Sequence, residues 1–174
     1  MTAIPPVSPD EMSESVAKRL KTYADLGDEA ATFLGVLAHA DGYAEALWDA
    51  MEKTRSATGV DPKLKEILRI QLAATAEDPY FTNLRSKAAT DAGLDEGRIA
   101  AGLGDFANDD RFSDAERWAL RYAYLMYREP ENVDAAFYDE GKQHFSEAQI
   151  MEIGGMIAVH FGMQVFMRTL QPEG

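Results

Sequence analysis

The sequence predicts an all-α protein, and three observations carry that reading. Apolar residues recur at helical spacing, and no run shows sustained strand alternation. Helix-start signals recur along the chain: serine or aspartate before proline, or serine three places ahead of an acidic or amide residue. Glycine and proline mark most of the boundaries between the periodic segments.

Taken in order, Ser8-Pro9-Asp10-Glu11 reads as a capping box with proline at the first helical position, opening a helix that stops near Gly27. A second helix is expected from about Asp28 to Ala40. A third runs from about Gly42 to Ala57 and ends before Gly59. Asp61 caps the helix that Pro62 starts. Pro79 starts the next helix, and Gly93 ends it as a C′ glycine. A short helix follows, from Asp95 to about Leu103. The segment Gly104–Phe112, GDFANDDRF, is the most loop-like in the chain. Ser113 to Glu116 is a second capping box, opening a helix to about Tyr127, which Glu129-Pro130 breaks. Asp134 opens a shorter helix. Ser146 to Gln149 is a third box, before the last long helix.

Trp118, Tyr122, Leu125 and Met126 form one apolar stripe, and Ile150, Ile153, Ile157, Phe161 and Val165 another. Both are core or subunit interface. The last helix is apolar on much of its circumference from Ile153 to Phe166, so it is central or partly covered by another subunit. Its Gly154-Gly155 pair permits close backbone approach, although each glycine weakens a helix by about 1 kcal/mol.

A chain of 174 residues, 46% of them hydrophobic, is long enough for one well-packed domain with an arm. Residues 1–32 are expected to be an N-terminal arm and first helix, and residues 33–174 the helical domain. The apolar runs are far short of a membrane span. The start, MTAIPPVSPDEM, has no basic region followed by an apolar one, so a cytoplasmic location is expected. A net charge of −13 speaks against nucleic acid and against anionic membrane surfaces as partners. There is no cysteine, so disulfide and thiolate chemistry are excluded. No His, Asp or Glu cluster has metal-site spacing, and no glycine-rich phosphate loop or Gly-x-Ser-x-Gly motif occurs. No cofactor and no metal are expected.

The stretch Pro62–Leu94, PKLKEILRIQLAATAEDPYFTNLRSKAATDAGL, reads as two consecutive helices with a carboxylate, Glu66, in the first. It resembles the core of the alkylhydroperoxidase-D-like and carboxymuconolactone decarboxylase superfamily. Leu37–Thr54, LAHADGYAEALWDAMEKT, looks like the helix before that core in longer members. Phe145–Leu170, FSEAQIMEIGGMIAVHFGMQVFMRTL, looks like the closing helix. The resemblance thus covers roughly residues 33–170.

Redox members carry an acid on the first helix and, twelve residues later, Cys-x-x-Cys-x-x-x-His at the start of the second. Counting back from the Ala92-Gly93-Leu94 turn, the first cysteine position falls on Asp78, the second on Phe81 and the histidine on Arg85. The position between the cysteines falls on Tyr80. The acid falls on Glu66, and 78 − 66 gives the twelve-residue separation. The acid is kept and the thiols are gone. A thiol peroxidase needs a thiolate nucleophile and a resolving thiol, so that activity is excluded. The resemblance implies a single-domain helical bundle of the alkylhydroperoxidase-D-like type, built on an antiparallel pair, Pro62–Glu77 and Pro79–Ala92. It also implies a homo-oligomer: a dimer, trimer or hexamer.

Five residues are candidates for a site. Glu66 shares a helix face with Arg69 and Ile70. It is either a surface carboxylate paired with Arg69 or, as the resemblance implies, a site acid able to act as general base or acid. Asp78, before Pro79, is an N-cap, a second carboxylate across from Glu66, or both. Tyr80 is a core residue with a bonded hydroxyl or a donor to an oxyanion. Arg85 is solvated or ion-paired, or it binds a planar substrate anion. His160, among Val159, Phe161 and Met163, is a satisfied buried group or a titratable group facing a cavity. His39 lies near a helix end and His144 in a loop-like segment.

The resemblance implies a cofactor-independent enzyme. It would act by acid/base chemistry (decarboxylation, isomerisation or lysis) on a small carboxylate or lactone, possibly aromatic-derived. The decarboxylase proper usually carries histidines that are absent here, notably at Arg85. The rival expectation is a non-catalytic paralogue that binds a ligand or a protein after losing its redox site.

Overall fold

Capping side chains and left-handed turns fix most of the helix ends. The computed structural model describes residues 3–23 and 28–170, with the backbone alone at 22, 23 and 28–31. Among these residues the chain forms ten α-helices and no strand. They are α1 Glu14–Tyr23, α2 Asp28–Leu37, α3 Asp41–Ser56, α4 Pro62–Thr75, α5 Pro79–Asn83, α6 Lys87–Asp91, α7 Glu96–Leu103, α8 Asp114–Arg128, α9 Ala135–Gly141 and α10 Glu147–Leu170.

The expected caps form at Asp61, Asp78, Asp95, Ser113 and Asp134, each accepting a backbone N–H of the first turn. Ser113 and Glu116 complete a reciprocal capping box, and Ser146 with Gln149 does the same. The box expected at Ser8 does not form. Pro9–Glu11 is a single 3₁₀ turn, Ser8 makes no side-chain cap, and Met12 is extended. The first α-helix starts later, with the Ser13 hydroxyl 3.4 Å from the Val16 N–H. Proline set the local turn there, but the chain leaves helical geometry at Met12. The expected stop near Gly27 lies outside the described residues.

A second correction concerns the helix expected over Pro79–Ala92. It is two short helices, α5 and α6, separated at Leu84–Ser86, where Leu84 and Ser86 are extended. Ser86 caps α6. At the end of α6, Gly93 adopts φ +89°. Its N–H reaches Thr90 O and the Leu94 N–H reaches Ala89 O. That is a Schellman ending, and Gly93 supplies the left-handed residue without a Cβ penalty. The same ending closes α4, but there Glu77 takes the left-handed position, φ 55°.

The chain divides into two compact units. One comprises Met1–Glu52 with Phe166–Gly174. In it the arm lies along α2, with the Val7 N–H donating to Gly35 O at 3.0 Å and Pro5 O at 2.9 Å from His39 Nε2. The other is Lys53–Val165 and holds every candidate site residue. Its centre is α4, whose Leu64, Ile67, Leu68, Ile70, Leu72 and Ala73 are at most 3% exposed. α5, α6, α7 and α8 pack against it.

Trp118 and Tyr122 of α8 are buried as expected, while Met126 packs at the core's edge. Trp118 Nε1 donates to Phe137 O at 3.0 Å. In α10, Ile150, Ile153, Met156 and Ile157 are core and Phe161 packs at its edge, but Val165 is 40% exposed. Gly154 does permit a close approach, since a Cβ there would lie 2.9 Å from the Tyr122 hydroxyl oxygen. Gly155 faces open space.

At 24 residues α10 is long and apolar enough to cross a membrane by length and composition, where the sequence suggested apolar runs far short of that. Two of its polar side chains are bonded within this unit. Glu152 pairs with Lys65 and His160 bonds Thr54. Four residues of the same helix lie in the core, so one face of it packs inside this unit, while Met151 and Val165 are exposed.

Candidate functional site

The candidate site is built on the second and third turns of α4 and on the segment Asp78–Ser86 that packs against it. Because α4 is buried on several sides, its polar residues must find partners inside the protein. Glu66 and Arg69, one turn apart, are 5% and 7% exposed. They form a bidentate pair: Arg69 Nη2 to Glu66 Oε1 at 2.8 Å and Nε to Oε2 at 2.9 Å. The Ser86 N–H also donates to Glu66 Oε1, at 2.8 Å. Arg69 spends further protons on Phe81 O at 2.7 Å and Leu84 O at 2.6 Å.

The pair therefore satisfies three backbone groups around the α5–α6 break, which explains why the helix stops there. Helical bonds lost at Leu84–Ser86 are replaced by side chains from α4. Of the two readings of Glu66, the structure joins parts of both. It is paired with Arg69, and it is buried.

Asp78 is 2% exposed and caps α5, one oxygen accepting the Phe81 N–H at 3.0 Å. Its backbone carbonyl accepts the Thr82 hydroxyl at 2.6 Å. Its second oxygen, Oδ2, is buried with no hydrogen-bond partner among the described residues. Tyr80 is half-buried and meets the Phe81 ring edge-on at 4.9 Å between centroids. Asn83 turns back to Pro79 O.

Arg85 is taken up by Glu96 in a second bidentate pair, at 2.6 and 2.9 Å. It also donates to Thr82 O and Leu84 O. The hydrogen bond to Glu96 raises the Arg85 pKa against the opposing effect of burial, and the charges of Glu96 and Glu66 add to it. The same bond lowers the Glu96 pKa. Both guanidinium groups next to α5 thus have a carboxylate of their own.

His160 comes from α10 and bonds the hydroxyl of Thr54, Nε2 to Oγ1 at 2.9 Å. Burial, then the charges of Arg69, Arg55 and Lys65, push its pKa down to about 3. It is neutral at physiological pH, and a base of so low a pKa is a poor acceptor for a hydroxyl proton. Lys65 is held beside it by Thr54 O, Ala57 O and Glu152. Gln164, one turn beyond His160, reaches toward Arg69 O at 3.4 Å.

The structure thus brings Glu66, Asp78, Tyr80 and Arg85 around one short stretch of chain, and the charge of Arg69, the partner of Glu66, reaches His160. Sequence reasoning missed the clamping role of Arg69, for which the i+3 spacing was the visible signal. It also missed Ser86, Glu96 and Thr54, which carried no local signal. Among the described residues no group of three or more His, Asp or Glu side chains is gathered as for a metal.

No family model matches the chain, and no curated protein matches it. Solved structures do. A peroxidase-related protein from Ralstonia eutropha with an alkylhydroperoxidase AhpD core matches with a TM-score of 0.79 at 13% identity, over 99% of this chain and 92% of that one. A cysteine-to-alanine variant of the debrominase Bmp8, in complex with 2,3,4-tribromopyrrole, matches with a TM-score of 0.75 at 19% identity, over 99% and 91%. Ligand-free Bmp8 matches with a TM-score of 0.73 at 20% identity, over 100% and 94%. The fold is alkylhydroperoxidase-D-like, carried by a chain without cysteine.

Proposed function

We propose that this cysteine-less protein of alkylhydroperoxidase-D-like fold is a cofactor-independent enzyme that moves protons on a small carboxylate, lactone or aromatic-derived molecule. Its chemistry would be decarboxylation, isomerisation or lysis. The observation that carries the reading is Asp78. It stands where the redox members place a thiol, it is buried, and one of its oxygens has no partner among the described residues. A buried acceptor left unsatisfied costs about 1–3 kcal/mol, and such groups concentrate at functional sites. Asp78 would take and return the proton, and the Glu66–Arg69 pair would hold α5 in place beside it. A debrominase of this fold has been captured with a small halogenated pyrrole, which supports a small cyclic substrate.

One observation favours the non-catalytic alternative. Glu66 and Arg85, two residues expected to do chemistry, are each held in a bidentate pair. A paralogue that has traded its redox site for structural ion pairs would look like this.

Asp78→Asn separates the two. Asparagine is as good an N-cap as aspartate, so the fold should hold, but it cannot carry a proton to and fro. Wild type and variant are incubated with lactones, β-keto acids and aromatic acids, and consumption is followed by NMR. Turnover by wild type that falls at least about 100-fold in the variant supports the enzyme. Equal turnover by both would remove Asp78 from the chemistry, and no turnover by either favours the binding protein.

A further inference from the structure

We propose that the ligand of this site is a neutral hydrogen-bond donor, a small ring carrying N–H or O–H, and that it binds by donating to Asp78 Oδ2. The proposal rests on the reading above only in placing the site at Asp78. It departs from the carboxylate or lactone that the sequence suggested.

The groups beside α5 that still lack a partner decide what the site can bind. An anion would need a cation whose charge is not already met by a carboxylate. Arg69 is engaged by Glu66, Phe81 O and Leu84 O. Arg85 is engaged by Glu96, Thr82 O and Leu84 O. Each guanidinium already faces a carboxylate in the fork-to-fork geometry it would offer a substrate anion. An incoming carboxylate would have to displace Glu66 or Glu96.

The site's open valence is of the opposite kind. Asp78 Oδ1 is used by the Phe81 N–H, while Oδ2 is buried and accepts from nothing. Among the described residues it is the one carboxylate oxygen so placed. A second anion brought to it would be repelled, and an apolar group would leave it unsatisfied. A donor relieves its desolvation.

Tyr80, Phe81 and Thr82 are half-buried members of a five-residue helix. The Tyr80 and Phe81 rings sit edge to face, an apolar surface suited to a flat ring. Shape and apolar contact would come from those rings, and orientation from the single bond to Oδ2.

Isosteric probe pairs test this directly. Pyrrole and furan differ by N–H against O, and phenol and anisole by O–H against O–CH₃. Benzoate supplies the anion. Thermal unfolding of the full chain is measured against each at increasing concentration, for wild type and for Asp78→Asn. In the variant the amide oxygen keeps the bond to the Phe81 N–H and an NH₂ group replaces Oδ2, so an acceptor becomes a donor.

The expected result is a saturable rise in Tm for wild type with pyrrole and phenol, and little with furan, anisole or benzoate. In the variant the preference should shrink at least tenfold in apparent affinity or reverse toward furan. Three results would overturn the proposal: stabilisation by benzoate alone, equal response to both members of each pair, or no shift with any probe. The last would mean that Oδ2 is satisfied by solvent. Donor binding without any consumption would leave this inference standing and sink the enzyme reading. Consumption of a carboxylate that needs Asp78 would do the reverse.

Discussion

His160 shows how a single residue's surroundings set its chemistry. It was expected as a satisfied buried group or a titratable one, and it is a half-buried imidazole bonded to Thr54 with a pKa pushed down to about 3, against an ordinary value of 6.5. Because the folded pKa is depressed, neutral His160 contributes stability that is fully present above pH 6.5 and is lost as pH falls toward 3. The unfolded chain binds the proton first, so stability must rise with pH across that window. Between pH 7 and pH 5 the loss should be about 2 kcal/mol, with most surface carboxylates still ionised at both ends. Urea unfolding of wild type and His160→Asn at pH 7, 6 and 5 checks it. The wild-type midpoint should drop and the variant's should stay nearly level. Parallel curves would show that His160 is not the group responsible.

At the scale of elements, the break between α5 and α6 depends on a buried ion pair rather than on local sequence. Arg69 holds Phe81 O and Leu84 O, and Glu66 holds the Ser86 N–H. Arg69→Met would leave a buried carboxylate unpaired and two carbonyls without donors. The expected cost is about 3–5 kcal/mol. Pairing it with Glu66→Leu removes the stranded charge, so the double variant should be less destabilised than the sum of the two single changes. Denaturant unfolding of the three variants measures this, and a loss below about 1 kcal/mol for Arg69→Met would show that the break stands without the pair.

This element also marks where the sequence stopped being legible. The caps at Asp61, Asp95, Ser113, Asp134 and Ser146 were readable because each is decided within four residues. Pro79 and Gly93 fixed the two ends of the segment for the same reason. The interruption at Leu84 has no such signal, because the groups that replace its helical bonds come from a helix twelve to twenty residues earlier. The candidate site was legible as positions through the resemblance, which put its acid on Glu66 and its first thiol position, twelve residues on, at Asp78. Which of those acids is saturated and which is left open depends on Arg69, Ser86 and Phe81 meeting in space. Ser8 erred the other way: its motif was complete, but the chain turns extended at Met12 before a helix can propagate.

Charge acts on the whole molecule. The chain carries 17 basic and 30 acidic side chains, a balance of −13. Most basic groups with a described position already sit against acids, as Arg19 does with Asp49, Arg98 with Glu116 and Arg121 with Glu140. The excess is therefore carried by acids without a cation nearby, and their mutual repulsion opposes the compact state. Raising salt from 10 mM to 150 mM shortens the screening length from about 30 Å to about 8 Å. At pH 7 this should raise Tm by about 2–4 °C, the shift expected for about 1 kcal/mol in a chain of this size. The gain should fade as pH approaches the isoelectric point of about 4.6, where the excess charge vanishes. The acid sensitivity assigned to His160 has a different origin, since burial is its largest cause and buried groups are screened little. Unfolding curves at the two salt concentrations should therefore be offset from each other at pH 7 yet fall by a similar amount between pH 7 and pH 6. If salt instead abolishes the fall, the acid response belongs to the surface charge and not to the imidazole.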